Sequence, residues 1–255
     1  MPDGLRLALT TFTVLPVRGP HALDRRTAGV AMALGPLVGL GVGLVAAAVV
    51  LGLGELSPGA ELPAAGALVA LALLSRGLHL DGLMDTADGL ASYAPPERAR
   101  QIMKEPGVGA LGVATFGLVL LVQYAALLTC TAAGRGPYAI GLAVVVGRLA
   151  VVAACTPGVP AATPTGLGAL VAGTVRRGTF AVVAGLVVGA AAAAAAPDGA
   201  AAALRATLAV ALGLLVASAL RRHAVRRLGG VTGDVLGALI EVSTAVVLVV
   251  LSVSP

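Results

Sequence analysis

The sequence predicts an all-α polytopic integral membrane protein, a helical bundle with about seven transmembrane helices within a range of six to eight. Of its 255 residues, 58% are hydrophobic and only 11% are charged, and the mean hydropathy is +0.99. A soluble domain normally carries about 25% charged residues. The apolar residues stand in long unbroken runs, which argues against the alternating ~10-residue segments of an outer-membrane barrel.

The apolar runs give the expected spans in order. A first run at about 28–53 is long enough to cross a ~30 Å hydrocarbon core. A second run at about 62–74 is too short, unless it continues as helix into the residues that follow. The stretch 5–15 is expected to form an amphipathic interfacial helix or a re-entrant piece. Further spans are expected at about 108–133, 138–155, 179–196, 206–220 and 235–253.

The basic residues give the expected orientation. Fourteen Lys and Arg residues fall on one side of these spans and two on the other, while Arg148 lies within a span. Cytoplasmic loops of membrane proteins carry an excess of Lys and Arg. We therefore expect a multi-pass protein of the cell membrane with its N-terminus in the cytosol and its C-terminus outside. Residues 1–255 would form one membrane-embedded catalytic domain, with active-site loops on the cytosolic side at about 76–107, 156–178 and 221–234.

The segment HLDGLMDTADGL, residues 79–90, holds a quarter of the twelve acidic residues. Asp81, Asp85 and Asp88 have the spacing i, i+4 and i+7, which places them within about 60° of one another on a helix. Neighbouring carboxylates repel one another unless a cation lies among them. A solvated acidic face is the alternative, but the apolar residues between the acids indicate that the other face is packed. We therefore predict a cation site.

The donor chemistry narrows the choice of cation. Ligands that are all oxygen favour Mg²⁺, Mn²⁺ or Ca²⁺ over zinc. Asp81 and Asp88 would lie ~10 Å apart along the helix axis, which suits two metal ions, or one Mg²⁺ that leaves positions for phosphate oxygens. Gly82 and Gly89 would let a bulky anion approach the backbone, so the pattern indicates diphosphate chemistry. His79 lies on the far side of this helix, where either a structural hydrogen bond or a catalytic role is open.

Two further stretches contain candidate phosphate-binding residues. Arg98 and Lys104 precede a Gly-rich entry to the third span, where they could neutralise phosphates, although topology signals explain them equally well. Asp234 opens the last span, and Glu241 follows at i+7 on the same face. Asp or a basic residue at the centre of a spanning helix costs ~2.5–3.5 kcal/mol, so a lone acid such as Glu241 indicates function. By the same argument, Arg148 would pair with an acid or a phosphate.

Four blocks of the sequence, in order, resemble cobalamin synthases, also called adenosylcobinamide-GDP ribazoletransferases. They are FTVLPV with GPLVGLGVG, HLDGLMDTADGL, IMKEPGVGALGV and GVTGDVLGALIE, and the similarity runs from about Phe12 to Glu241. The resemblance implies an integral membrane enzyme of late vitamin B12 assembly that requires Mg²⁺. It would join adenosylcobinamide-GDP to α-ribazole or its 5′-phosphate and release GMP. Asp81, Asp85 and Asp88 would hold the metal, with Asp85 or Asp88 as an alternative general base.

The resemblance also implies partners and shows one departure. The partners are the corrinoid nucleotide, α-ribazole and membrane lipid, with no nucleic acid; a homo-oligomer, or association with other corrinoid-pathway enzymes, is compatible with it. After Lys104 the family commonly has Asp, a small polar residue and a basic residue. Glu105, Pro106 and Gly107 stand there instead. No phosphate contact therefore carries over to Gly107, and the third span is expected to begin just after Pro106.

Two other functions share some of these features. A CDP-alcohol phosphotransferase of lipid synthesis also combines membrane helices, aspartates and a divalent metal, but its D-G-x-x-A-R signature would need Ala and Arg where Asp85 and Thr86 stand. A cation transporter would place its acids near the bilayer midplane, often between internal repeats. Here the aspartate motif occurs once and is expected toward the cytosolic side.

Overall fold

The computed structural model describes residues 1–253, and within this range the chain is helical, with one isolated β-bridge between Ala161 and Val231 and no strand. This confirms the all-α class. The α-helices are α1 Asp3–Phe12, α2 Arg25–Ala33, α3 Gly35–Leu56, α4 Glu61–Leu74, α5 Leu78–Ala91, α6 Pro96–Ile102, α7 Ala110–Ala132, α8 Gly136–Ala154, α9 Gly166–Val171, α10 Arg177–Ala195, α11 Ala200–Leu228 and α12 Gly233–Ser252; a 3₁₀ turn, Ala196–Asp198, follows α10.

Six helices in the described range are long and apolar enough to cross a membrane: α3, α7, α8, α10 with its 3₁₀ turn, α11 and α12. A seventh candidate is the pair α4 and α5, which is bent by 86°. The predicted number of spans is thus confirmed at six to seven. By itself α4 would be about 21 Å long, which is shorter than a ~30 Å hydrocarbon core.

The second apolar run, 62–74, does not continue as one straight helix into the aspartate motif. The chain leaves the helical conformation at Arg76 and Gly77, whose φ angles are +55° and +69°. This left-handed region ends helices and favours glycine. The backbone N–H of Val14 donates to the Leu74 carbonyl at 2.7 Å, so α4 ends beside the segment that follows α1. After the bend, α5 packs against α12 and α7.

The first predicted span, 28–53, also begins too early. Pro36 lies in the first turn of α3, where its missing N–H leaves no hydrogen bond unmade; further inside a helix it would remove one. The chain therefore divides into α2 and α3 around Leu34. At the start of α2, the Asp24 carboxylate accepts the Thr27 N–H at 2.7 Å, which lowers the pKa of Asp24. The predicted N-terminal helix is confirmed as α1, which packs on α2 and α3.

The predicted cytosolic loops are largely helical. The segment 76–107 contains α5 and α6, and α11 extends through residue 228 rather than ending near 220, so only 229–232 connect it to α12. Several arginines in these segments bind carbonyl groups at helix ends. Arg221 donates to the Ala153 carbonyl at the end of α8 at 3.1 Å, and Arg100 donates to the Leu228 carbonyl at the end of α11 at 2.7 Å. Cations are stabilising at helix C-termini, where carbonyls lack helical partners.

The core of the bundle is built around α8. This helix is buried along most of its length, against α3, α12 and α11. A Cβ added to Gly43 of α3 would lie 3.0 Å from the Gly141 Cα of α8, so these two backbones approach closely, as small residues allow in membranes. Helix α12 packs against both α8 and α5, and its contact with α5 positions the aspartate motif.

Candidate active site

The contact between α5 and α12 depends on two glycines. A Cβ on Gly82 would lie 2.7 Å from the carbonyl oxygen of Asp234, and a Cβ on Gly237 would lie 3.2 Å from the Cα of His79. Because neither position has a side chain, the two helices come into backbone contact. The aspartate motif is therefore brought beside the start of α12, which lies about 150 residues later in the chain.

Three carboxylates, those of Asp81, Asp85 and Asp234, form what we call the acid cluster. Asp81 and Asp234 line the same small cavity of about 180 Å³. The charges of Asp81, Asp234 and Asp88 all act on the Asp85 carboxylate. Asp85 accepts no hydrogen bond within residues 1–253, whereas the Thr232 hydroxyl donates to Oδ2 of Asp234 at 3.2 Å. Sequence reasoning treated Asp234 as a separate phosphate-binding residue; the fold adds it to the motif.

Asp88 has a different environment from the other acids. Its Oδ2 accepts the N–H of Gly109 and its Oδ1 accepts the N–H of Gly112, both at 2.8 Å. These N–H groups lie at the N-terminus of α7, where helical partners are missing and negative charge is favourable. A Cβ on either glycine would overlap the Asp88 carboxylate. Asp88 thus caps α7 from a neighbouring helix, a role that sequence reasoning missed.

Gly89 has a packing role similar to that of Gly82. It is buried, and a Cβ there would lie 2.6 Å from Cγ of Met103, just after α6. The approach of an anion to the backbone at Gly82 and Gly89 stays a prediction, since close contacts with neighbouring segments already account for a small residue at both positions.

The two candidate cations before α7 differ in their partners. Arg98 forms an ion pair with Glu105 at 2.7 Å, and both side chains are about half exposed (54% and 51%). Lys104 is exposed, and its charge acts on the Asp234 carboxylate. Lys104 is therefore a basic residue whose charge reaches the acid cluster, while Arg98 is paired with Glu105. Helix α7 begins at residue 110, four residues after Pro106.

A second group of polar residues lies deeper in the bundle. His79 is 7% exposed, its ring packs against Phe12, and it lines both the small cavity and a larger one of about 500 Å³. Arg148 and Glu241 line this large cavity. Gln123 donates to the Glu241 carboxylate at 2.9 Å and to its carbonyl at 3.1 Å. Gln123 was absent from the sequence-based candidates, because an uncharged amide within an apolar run gives little signal.

The acid cluster has the donor chemistry of a magnesium site only if a substrate completes the coordination of the ion. In the described part of the chain, no three His, Cys, Asp or Glu side chains converge in an arrangement that could hold a metal by themselves. Mg²⁺ rarely uses such all-protein cages: it is commonly bound through one or two carboxylates plus water and substrate phosphates. The cluster supplies the hard oxygen donors that this arrangement needs.

Comparison with known proteins covers nearly the whole chain. The family model described as cobalamin-5-phosphate synthase matches residues 4–252. The chain is 46% identical to an adenosylcobinamide-GDP ribazoletransferase of Frankia casuarinae, over 98% of this chain and 94% of the relative. Relatives with the same name are 42% identical in a Nocardioides species (97% of each chain) and 37% identical in Corynebacterium efficiens (100% of this chain, 92% of the relative). No solved structure matches.

Proposed function

The chain belongs to the cobalamin-5-phosphate synthase family, and on this basis we propose that it is an adenosylcobinamide-GDP ribazoletransferase of vitamin B12 biosynthesis. It joins adenosylcobinamide-GDP to α-ribazole, or to α-ribazole 5′-phosphate, and releases GMP. The observation that carries this proposal is the near full-length similarity to relatives of that name, at up to 46% identity. It supports this transfer rather than lipid phosphotransfer or cation transport.

The reaction is a phosphoryl-type transfer onto an alcohol. A ribose hydroxyl of the acceptor attacks the phosphorus that carries the corrinoid arm. A new P–O bond forms, the bond from this phosphorus to the oxygen of GMP breaks, and the hydroxyl proton passes to a base. The protein therefore has to bind a diphosphate, stabilise the negative charge that grows on GMP and accept one proton.

Asp81 and Asp85 are suited to hold Mg²⁺ together with phosphate oxygens, since Asp81 lines the small cavity and the Asp85 carboxylate lies close enough for the two charges to interact. When bound, the ion offsets charge on the diphosphate and on the leaving GMP. The exposed ammonium group of Lys104, whose charge acts on Asp234, is suited to bind a phosphate oxygen. Asp88 keeps the start of α7 in place beside these groups through its two backbone hydrogen bonds.

Asp234 is suited to accept the hydroxyl proton. The Thr232 hydroxyl donates to its Oδ2 and at the same time accepts the Val235 N–H at 3.2 Å, which holds the carboxylate at the start of α12. Among the side chains of the described residues only Thr232 donates to this carboxylate, through Oδ2, so Oδ1 remains available to receive the proton. A general base must lie within hydrogen-bond reach of the hydroxyl that it deprotonates, and Asp234 lines the small cavity.

The expected location is the cell membrane, with the N-terminus and the acid cluster in the cytosol and the C-terminus outside. The distribution of Lys and Arg supports this orientation. The hydrogen bond between the end of α4 and the segment after α1 is compatible with this orientation, in which the bent pair would cross the membrane once. The apolar outer faces of α3, α7 and α10 are expected to contact lipid.

The test is GMP release by the purified protein in detergent, from adenosylcobinamide-GDP plus α-ribazole, with and without Mg²⁺. Asp85→Asn should reduce the release by about 10²–10³-fold, while Asp198→Asn, in the exposed turn after α10, should leave it unchanged. Folded wild-type protein that releases no GMP with any divalent metal would contradict the proposal. CDP-linked lipids and cation flux would then be measured.

A further inference from the structure

The large cavity has no part in the chemistry derived above. It lies between α4, α5, α7, α8 and α12, and its volume of about 500 Å³ is within the range of small-molecule sites. Most of its walls are apolar, and they include Leu68, Leu71, Phe116 and Leu120. One part is polar and is formed by Arg148, Glu241, Gln123 and His79.

Arg148 gives the cavity an unused hydrogen-bond donor. Its side chain is 3% exposed, and its guanidinium makes one long hydrogen bond, from Nη1 to the Val144 carbonyl at 3.4 Å. Its Nε has no partner among residues 1–253. Glu241 lines the same cavity but does not approach Arg148 to within the 4.0 Å of an ion pair in the described chain. A buried donor without an acceptor is costly, so the site suits a ligand that brings one.

The cavity lies next to the acid cluster. His79 forms part of the walls of both cavities; its neighbour Leu80 lines the large cavity, and Asp81 lines the small one. Along α12, seven residues separate Asp234 from Glu241, which is about 10 Å. A ligand with one end beside Arg148 could therefore extend past His79 and present a hydroxyl to Asp234.

We propose that the large cavity binds the aromatic base of the ribazole acceptor, with the base against the apolar walls and the Arg148 guanidinium donating to the unsubstituted ring nitrogen. This inference rests on the proposed function. The base of α-ribazole is a dimethylbenzimidazole, which is apolar except for that one acceptor. Guanine and the amide groups of a corrinoid carry many polar atoms, which apolar walls would leave unpaired.

The surroundings of the cavity favour the same occupant. Val69 and Leu121, which are 57% and 60% exposed, line it from α4 and α7, so it opens on the outer face of the bundle between these helices. A lipid acyl chain entering there would cover the apolar walls but would leave the donors of Arg148 unpaired. A bicyclic heteroaromatic ring satisfies both parts of the site.

The first test fills the cavity. A Cβ on Gly117 meets no atom within 4 Å, and Gly117 lines the cavity; Gly41 in α3 has equally open space and lines none of the described cavities. In Gly117→Leu the KM for α-ribazole should rise about tenfold or more, with the KM for adenosylcobinamide-GDP unchanged. In the control Gly41→Leu both values should stay at the wild-type level.

The second test addresses the hydrogen bond. The acceptor would be compared with an indole riboside, in which a C–H replaces the unsubstituted ring nitrogen. Wild type should prefer the benzimidazole riboside by about tenfold or more in kcat/KM, and Arg148→Met, which keeps an unbranched side chain but has no N–H donor, should reduce this ratio to near one. If Arg148→Met does not fold, the comparison of Gly117→Leu with Gly41→Leu still tests the proposal.

Three results for Gly117→Leu would overturn the proposal. The first is an unchanged KM for α-ribazole, and the second is an increase in KM only for adenosylcobinamide-GDP, which would indicate that guanine occupies the cavity. The third is an effect only on the stability of the protein in added lipid. Wild-type GMP release is measured first. Its absence would contradict the proposed function, whereas normal release with an unaffected Gly117→Leu variant would contradict only the assignment of this cavity.

Discussion

Asp85 and Asp88 stand one helical turn apart in the same motif, yet their environments predict opposite effects of the same substitution. Asp88 accepts two backbone N–H groups of α7 at 2.8 Å, whereas Asp85 accepts none from residues 1–253 and is surrounded by three carboxylates whose charges act on it. Asp→Asn at each position removes one charge and keeps the size of the side chain. The pair therefore separates a structural role from a functional one.

In Asp88→Asn, one amide oxygen can still accept an N–H, but the NH₂ group faces the other donor. The loss is one hydrogen bond to a charged group, about 1.5–3 kcal/mol, which agrees with the ~0.5–2 kcal/mol measured for helix N-caps. At about 2–4 °C per kcal/mol for a chain of this size, the melting temperature in detergent should fall by about 3–12 °C. In Asp85→Asn no hydrogen bond is lost and repulsion is relieved, so the melting temperature should stay the same or rise.

The assay measures melting without Mg²⁺ and GMP release well below the melting temperature. Asp85→Asn should reduce the release by about 10²–10³-fold, the usual effect of removing a group that stabilises transition-state charge, while Asp88→Asn should retain more activity. If Asp85→Asn destabilises the protein as much as Asp88→Asn does, or if Asp88→Asn melts like wild type, the assigned roles are wrong.

Three further predictions concern packing, metal and phosphate. Gly82→Ala should destabilise the protein by about 1–3 kcal/mol, because the new Cβ would lie 2.7 Å from the Asp234 carbonyl oxygen. The control for thermal melting is Gly52→Ala, whose Cβ would meet no atom within 4 Å. Equal melting temperatures of the two variants would refute the packing argument. Chelation by EDTA should stop GMP release and added Mg²⁺ should restore it; activity that survives chelation would refute the metal role. Lys104→Ala should raise the KM for adenosylcobinamide-GDP about tenfold, and an unchanged KM would contradict phosphate binding by Lys104. Arg98→Ala breaks an exposed ion pair, so it should change the free energy of unfolding by less than about 1 kcal/mol.

The number and class of helices follow from composition and run length, since a ~30 Å apolar core sets a similar requirement for each spanning segment. The positions at which the helices are interrupted do not follow from composition or run length. The division at Leu34 depends on Pro36, and the 86° bend before the aspartate motif depends on the left-handed conformations of Arg76 and Gly77. Hydropathy averaged over a long window does not detect two residues with unusual φ angles.

The helical periodicity of Asp81, Asp85 and Asp88 placed them on one face, and that reasoning treated them as equivalent. It could not show that Asp88 lies against the N-terminus of α7, because this depends on where another helix begins in space. A sequence signal was present in the glycines at 109 and 112, which have the spacing of an N-cap and the third residue of a helix. At the N-cap itself a glycine can make no side-chain hydrogen bond, so an acceptor had to come from elsewhere.

Asp234 joins the acid cluster for a related reason. The three carboxylates on α5 lie within about two turns of helix, and they repel one another most strongly when no cation is shared. A fourth acid from α12 increases that repulsion, and the protein accepts it at the contact where Gly82 removes any side chain that would hold the two helices apart. A bundle selected only for stability would avoid this arrangement, since like charges brought together in a partly buried site are destabilising. The closeness of α5 to α12 is therefore an observation in favour of the proposal that a cation and a diphosphate bind between them.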